Sequence, residues 1–90
     1  MTAEVKDIIE RIKQGNNALV EVKSLSVSIT FNLISNALFL EEGCVIMYGE
    51  EEMCVEFCLQ DIHSIRYIEE VDMEIYTLLF TNGLTITFCF

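Results

Sequence analysis

The stretch Leu84-Thr85-Ile86-Thr87-Phe88-Cys89-Phe90 alternates large apolar side chains with more polar ones, and it decides the fold class. A period of two residues is typical of a β-strand with one buried face. The preceding Thr81-Asn82-Gly83 supplies residues that tolerate positive φ, and residues 73–80 form a second strand-like run. Residues 73–90 therefore predict a β-hairpin.

Two registers are open to this hairpin. A two-residue turn at Asn82-Gly83 would place Phe80 opposite Thr85. A three-residue loop with a left-handed Gly83 instead pairs the apolar residues with one another: Phe80 with Leu84, Leu78 with Ile86, and Tyr76 with Phe88. Because one face of the hairpin should be buried, the second register is favoured.

Similar strand patterns precede the hairpin at residues 44–48, 53–59 and 65–69. Farther upstream, Val20 and Val22 alternate in one phase, and residues 25–31 alternate in the other. The phase change near Lys23-Ser24 indicates a bulge or a break between two strands. Residues 33–39 fit either a turn at Ser35-Asn36 followed by a short strand, or a helical turn.

The N-terminal residues 2–14 predict one amphipathic helix. Its apolar stripe follows the helical spacing i, i+3, i+4 and i+7, and consists of Val5, Ile8, Ile9 and Ile12. Thr2 suits the N-cap and Gly15 the position after the last helical turn. Asp7 and Arg11 form a correctly oriented surface pair.

These elements predict a single α+β domain over residues 1–90, with the helix at 2–14 and a strand-rich part at 18–90. The expected architecture is an N-terminal amphipathic helix packed on a curved antiparallel meander of five to six strands, or a small open barrel that the helix caps. The reverse face of the sheet is expected to be apolar and to need a cover. Its expected members are Val45, Met47, Cys54, Cys58, Ile75, Leu79 and Cys89.

Composition narrows the class of partner. The chain is 52% hydrophobic and carries a net charge of −10, with no Pro and no Trp. Disordered acidic chains are poor in apolar residues, so a folded domain is expected. The negative charge argues against direct binding of nucleic acid or of an anionic membrane.

The chain lacks a run of about 20 apolar residues and a signal-peptide pattern, which predicts a cytoplasmic protein with reduced cysteines.

Catalytic and metal chemistry find little support in the sequence. Cys54 and Cys58 lie in one predicted strand, where about 3.3 Å per residue separates their Cα atoms by roughly 13 Å, too far for a shared zinc or a disulfide. A strand pairing of Tyr48 with Met53 would put Cys44 opposite Phe57, in the core. A catalytic histidine needs a nucleophile or a carboxylate beside it. For the single histidine, His63, the residues of this kind nearest in sequence are Asp61 and Ser64. No cofactor-binding motif occurs, and we expect no enzyme, metal site or cofactor.

The acidic turns are the feature that stands out. In a plain meander, the turn with Glu50, Glu51 and Glu52 and the turn with Glu69, Glu70 and Asp72 would lie at the same pole of the sheet. Three interpretations are open for this pole: solubility, a binding surface for a partner rich in Lys and Arg, and calcium binding. Calcium is disfavoured because the spaced Asp/Asn loop with its central glycine is missing.

The leading functional hypothesis is a small acidic protein that binds and inhibits a basic protein partner, such as a nuclease or another nucleic-acid-binding protein. In length and charge, though not in any motif, the chain resembles phage-encoded anti-CRISPR inhibitors and toxin-neutralising immunity proteins. The alternative is a self-associating structural or regulatory subunit, for example a homodimer. It would join copies through the apolar sheet face or through an exposed edge at Leu84 to Phe90.

Overall fold

A computed structural model describes residues 2–15 and 17–90, except for the side chains of residues 34–39. It contains one helix, seven strands and two short 3₁₀ turns, at Glu50–Glu52 and Leu59–Asp61. The helix and strands are α1 (Ala3–Lys13), β1 (Leu19–Lys23), β2 (Ser28–Glu41), β3 (Cys44–Gly49), β4 (Cys54–Cys58), β5 (Ile62–Glu70), β6 (Met73–Phe80) and β7 (Thr85–Cys89). Among the described residues, no helix is long and apolar enough to cross a membrane.

All seven strands form one antiparallel sheet in the order β4-β3-β2-β1-β7-β6-β5. The sheet curls into a half-barrel around α1, which confirms the predicted α+β class with a curved antiparallel sheet. It has seven strands instead of the expected five to six, because residues 19–41 contribute a full hairpin. Pairing of β1 with β7 joins the two meanders β1–β4 and β5–β7.

The helix has the predicted ends and the predicted buried stripe. The Thr2 hydroxyl accepts a hydrogen bond from the Val5 backbone amide at 3.3 Å, which satisfies one of the free amides of the first turn. Gly15, with φ of 87°, follows the last turn, and its amide donates to the Ile12 carbonyl. All four stripe residues are buried against the sheet.

The C-terminal hairpin has the predicted three-residue loop. Phe80 donates its amide to the Leu84 carbonyl, Leu78 lies opposite Ile86, and Tyr76 lies opposite Phe88. Gly83 has φ of 87°, where an L side chain would be strained. The hairpin is not at the edge of the sheet, however. Since β7 pairs with β6 on one side and β1 on the other, the expectation of an exposed edge at Leu84 to Phe90 is wrong.

Strand β2 differs most from its prediction. It runs through Ser35-Asn36 without a turn, and the pairing with β3 shifts between Leu33, opposite Gly49, and Leu38, opposite Met47. The extra residues form a bulge. The long strand β2 pairs with β1 before the bulge and mainly with β3 after it. At the other end β2 begins only at Ser28, so Leu25 lies in the connection from β1 and is fully exposed.

The two faces of the sheet have different environments. The inner face packs on α1, and the largest fully buried sheet residues include Val20, Val45, Met47, Leu78, Ile86 and Phe88. Val45 and Met47 therefore lie on the covered face. Alternation from the buried Tyr76 and Leu78 places Ile75 and Leu79 on the outer face, which α1 does not cover. The expectation that all seven residues share one reverse face of the sheet is therefore wrong.

A difference of one residue in the β3–β4 register explains the error. Tyr48 pairs with Cys54 and Cys44 with Cys58, because Met53 belongs to the connection and not to β4. Side chains alternate along a strand, so a shift of one residue exchanges the faces of one strand relative to its partner. Cys44 is consequently half-buried on the outer face with Cys58, and the prediction that it is a core residue is wrong.

Candidate partner-binding surface

The β3–β4 acidic turn, which comprises Glu50, Glu51 and Glu52, is a tight turn that a hydrogen bond from the Met53 amide to the Glu50 carbonyl closes, and its three carboxylates are exposed. Glu51 and Glu52 have φ of 56° and 64°, in the left-handed region that favours glycine or asparagine. Glu50 and Glu51 border a groove toward the β1–β2 hairpin that is also lined by Leu19 and Ile29. The turn thus presents its carboxylates to solvent beside apolar side chains.

The β5–β6 acidic turn, which comprises Glu69, Glu70 and Asp72, lies on the other half of the sheet. All three carboxylates are exposed, and Asp72 has φ of 66°. They line a groove of about 580 Å³ together with Glu74, Arg11 and Phe90. Glu69 lies directly opposite Glu74, so two like charges are neighbours across the strands.

The six predicted site residues therefore form two groups and not one. The single pole was expected from a plain meander, but the observed order places β3 and β4 at one edge of the sheet and β5 and β6 at the other. Each acidic turn lines its own groove. Within the part of the chain that the structure describes, Arg11 forms ion pairs with Asp7 and Glu74, which are not members of either acidic turn.

A polar cluster joins α1 to the sheet beside the β5–β6 acidic turn. Arg11 forms ion pairs with Asp7, at 3.2 Å, and with Glu74. The Tyr76 hydroxyl donates to Asp7, and the Tyr67 hydroxyl donates to Glu74 at 3.0 Å. The Arg11 guanidinium also lies 5.4 Å from the centre of the Phe90 ring, within cation–π range.

This cluster shifts the pKa values of its members in directions that follow from its contacts. The hydrogen bond from Arg11, and then that from Tyr67, lowers the pKa of Glu74 below its ordinary value of 4.5. Burial, and then the hydrogen bond to Asp7, raises the pKa of Tyr76 above its ordinary range. The sequence predicted only the Asp7–Arg11 part, because Glu74 lies 63 residues away from Arg11.

The structure places the remaining candidate residues apart from these turns. His63 is exposed near the start of β5, in a groove also lined by Thr2 and Glu4 at the beginning of α1. Cys54 is exposed in β4, four residues from Cys58 in the same strand. Among the described residues, no group of three or more His, Cys, Asp or Glu side chains is placed to hold a metal ion.

Comparisons of the chain with protein families, with curated proteins and with solved structures find no match. The interpretation of the surface consequently depends on its own geometry and charge.

Proposed function

We propose that the protein binds a basic protein partner through its acidic turns and thereby inhibits that partner, which is a nuclease or another nucleic-acid-binding protein. The observation that carries the proposal is the display of six exposed carboxylates in the two acidic turns, on a domain of net charge −10. Complementary charge accelerates the encounter with a basic surface and positions the two proteins. Exposed carboxylates can also occupy the place of phosphates on such a surface.

The backbone of the turns supports this proposal. Among the described residues, the four non-glycine residues with positive φ are Glu42, Glu51, Glu52 and Asp72, and all are acidic. Glycine or asparagine would adopt these conformations more easily. Glu adopts this conformation less readily than Asp or Asn, so its presence at Glu51 and Glu52 is understandable when the charge itself has a role.

The test compares two neutralised turns with a matched control. One variant carries Glu50→Gln, Glu51→Gln and Glu52→Gln, and a second carries Glu69→Gln, Glu70→Gln and Asp72→Asn. The control carries Glu4→Gln, Glu10→Gln and Glu56→Gln, which remove three exposed charges elsewhere. A partner captured from host lysate at low salt is identified, and its nucleic-acid binding is measured with and without the protein.

We expect the captured partner to lose nucleic-acid binding when the protein is added. At least one turn variant should associate roughly tenfold more slowly than the control at low salt, with a flatter salt dependence. Equal association rates for both turn variants and the control would contradict a role for the turns. A partner that binds nucleic acid equally well in the complex would contradict inhibition by blocking.

Exposed apolar residues on the outer face favour a second candidate, self-association of the chain. Ile68, Ile75, Cys89 and Leu19 are consecutive partners across β5, β6, β7 and β1, and form one apolar row. Leu19 and Ile68 are each 44% exposed. This candidate predicts a salt-resistant dimer in light scattering that Ile75→Lys converts into a monomer, whereas a salt-independent monomer would exclude it.

A further inference from the structure

Cys44 and Cys58 form a directly opposed pair across β3 and β4. Their sulfur atoms lie 2.7 Å apart, close enough for one thiol to donate a hydrogen bond to the other. The Leu59 amide donates to the Gly43 carbonyl at 2.9 Å, so the backbone hydrogen bonds of the ladder lie beside the two cysteines. The backbones of Cys44 and Cys58 therefore form what is called a non-hydrogen-bonded pair. At such positions the Cα atoms approach to about 4.5 Å and the side chains are closest, which is within the range that a disulfide spans.

The pair is accessible to small molecules. Both cysteines are half-buried on the outer face, and they line a surface groove of about 290 Å³ together with Glu42, Gly43, Leu59 and Gln60. The other two cysteines are not placed in this way. Cys54 lies on the same face of β4 but about 13 Å from Cys58, and the Cys89 thiol contacts the Met73 sulfur at 3.9 Å.

We propose that Cys44 and Cys58 are a redox modification site whose co-substrate is a low-molecular-weight disulfide such as oxidised glutathione. The thiolate of one cysteine attacks one sulfur of the reagent, forms a mixed disulfide and releases one reagent thiolate. The other cysteine then loses its proton to solvent and displaces the second reagent thiolate from the first. The protein gives up two electrons and two protons, and the reagent leaves as two thiols.

The environment of Cys44 limits how readily its thiolate forms. Its hydrogen bond with Cys58, followed by burial, raises the pKa of Cys44 to about 11. The nearby charges of Glu56 and Asp61 act in the same direction. Cys44 therefore keeps its proton at neutral pH. Because the reactive species is a thiolate, crosslinking should accelerate as the pH rises.

The crosslink would act on the β3–β4 hairpin. It joins residues 14 positions apart and encloses the β3–β4 acidic turn. It also ties β4, which is an edge strand, covalently to its one neighbour in the sheet. Oxidation is therefore expected to restrict both the acidic turn and the free edge of the sheet.

The test uses the full chain with Cys54→Ser and Cys89→Ser, so that only the proposed pair remains. The reduced protein is incubated with defined ratios of oxidised to reduced glutathione, free thiols are alkylated, and peptides are mapped by mass spectrometry. We expect a Cys44–Cys58 crosslink with the loss of two hydrogens, and a rise in the thermal midpoint of about 10 °C. Reducing agent should reverse both changes.

A second variant separates formation of the mixed disulfide from its resolution. With Cys44→Ser added, Cys58 should stop at a stable glutathione adduct, because the resolving thiol is absent. The natural chain with four cysteines provides the control for folding. The proposal would be overturned if glutathione accumulated on one cysteine of the pair while the other remained a free thiol, or if Cys44 and Cys58 paired with other cysteines in the natural chain.

Discussion

Gly49 illustrates how one residue permits the close packing of β2 on β3. Its φ of −108° is open to any amino acid, so conformational freedom does not explain the glycine. A Cβ atom at this position would overlap the edge of the Phe31 ring at Cδ2 and Cε2, and that side chain is buried. The absence of a side chain at Gly49 is therefore what allows the Phe31 ring to lie against the β3 backbone.

We predict that Gly49→Ala destabilises the protein by about 1–3 kcal/mol, the usual cost of overpacking a core. Urea unfolding would measure the free energy change. In a Phe31→Ala background the same substitution should cost much less, because the clashing ring is gone. Equal losses in the two backgrounds would show that the Phe31 ring is not what excludes a side chain at Gly49.

At the scale of the elements, the Arg11 cluster connects α1 with β5 and β6. Arg11 borders the buried stripe of α1 and reaches Glu74 on β6, while Tyr67 on β5 donates to the same carboxylate. Hydrogen bonds to a charged group are stronger than those between neutral groups. The cluster thus holds the helix in one orientation on the apolar inner face, which by itself is not directional.

We predict that this cluster makes stability sensitive to acid. Because the folded-state pKa of Glu74 is lowered, its contribution is fully present above the ordinary value of 4.5 and is lost as the pH falls through the lowered value. Glu74→Gln should lower the thermal midpoint at pH 7, and the difference from the parent protein should shrink below pH 4.5. Glu70→Gln, at an exposed position in the same strand pair, should leave the midpoint nearly unchanged across this range. Parallel curves for the parent and Glu74→Gln proteins would contradict the role of the cluster.

At the scale of the whole molecule, one face of the curled sheet holds the core and the other faces solvent. The helix stripe and the inner sheet residues form one cluster of buried side chains. The outer face carries Thr77 and Thr87, whose hydroxyl oxygens lie 3.3 Å apart, beside the apolar row that begins at Ile68. Because α1 covers only the inner face, truncating an apolar side chain should cost more stability on the inner face than on the outer face.

Leu78 and Leu79 provide a matched comparison of the two faces. Leu78 is buried on the inner face, whereas Leu79 is half-buried on the outer face. We predict that Leu78→Ala costs about 2–5 kcal/mol, because it leaves a cavity in the core. Leu79→Ala should cost about 1 kcal/mol or less, since the surroundings and water can fill the space. Chemical denaturation of both variants would measure the difference, and similar losses would contradict the assignment of the faces.

The sequence by itself determined the elements whose signals are local. The α1 stripe, the Thr2 cap and the left-handed Gly15 depend on helical spacing and on the chemistry of helix ends. The register of the C-terminal hairpin depends on the loop that ends at Gly83 and on the alternation on both sides of it. These signals extend over a few residues, so they are readable before any long-range contact is known.

Only the tertiary structure decided which strands are neighbours and which face is covered. The pairing of β1 with β7 joins distant segments, and no local pattern specifies it. Both faces of the sheet carry Ile and Leu, so hydrophobicity could not identify the inner one. A one-residue difference after the β3–β4 acidic turn moved Cys44 to the outer face beside Cys58. The division of the acidic residues into two groups and the Arg11–Glu74 ion pair follow from the same long-range arrangement, which is set by packing the whole chain at once.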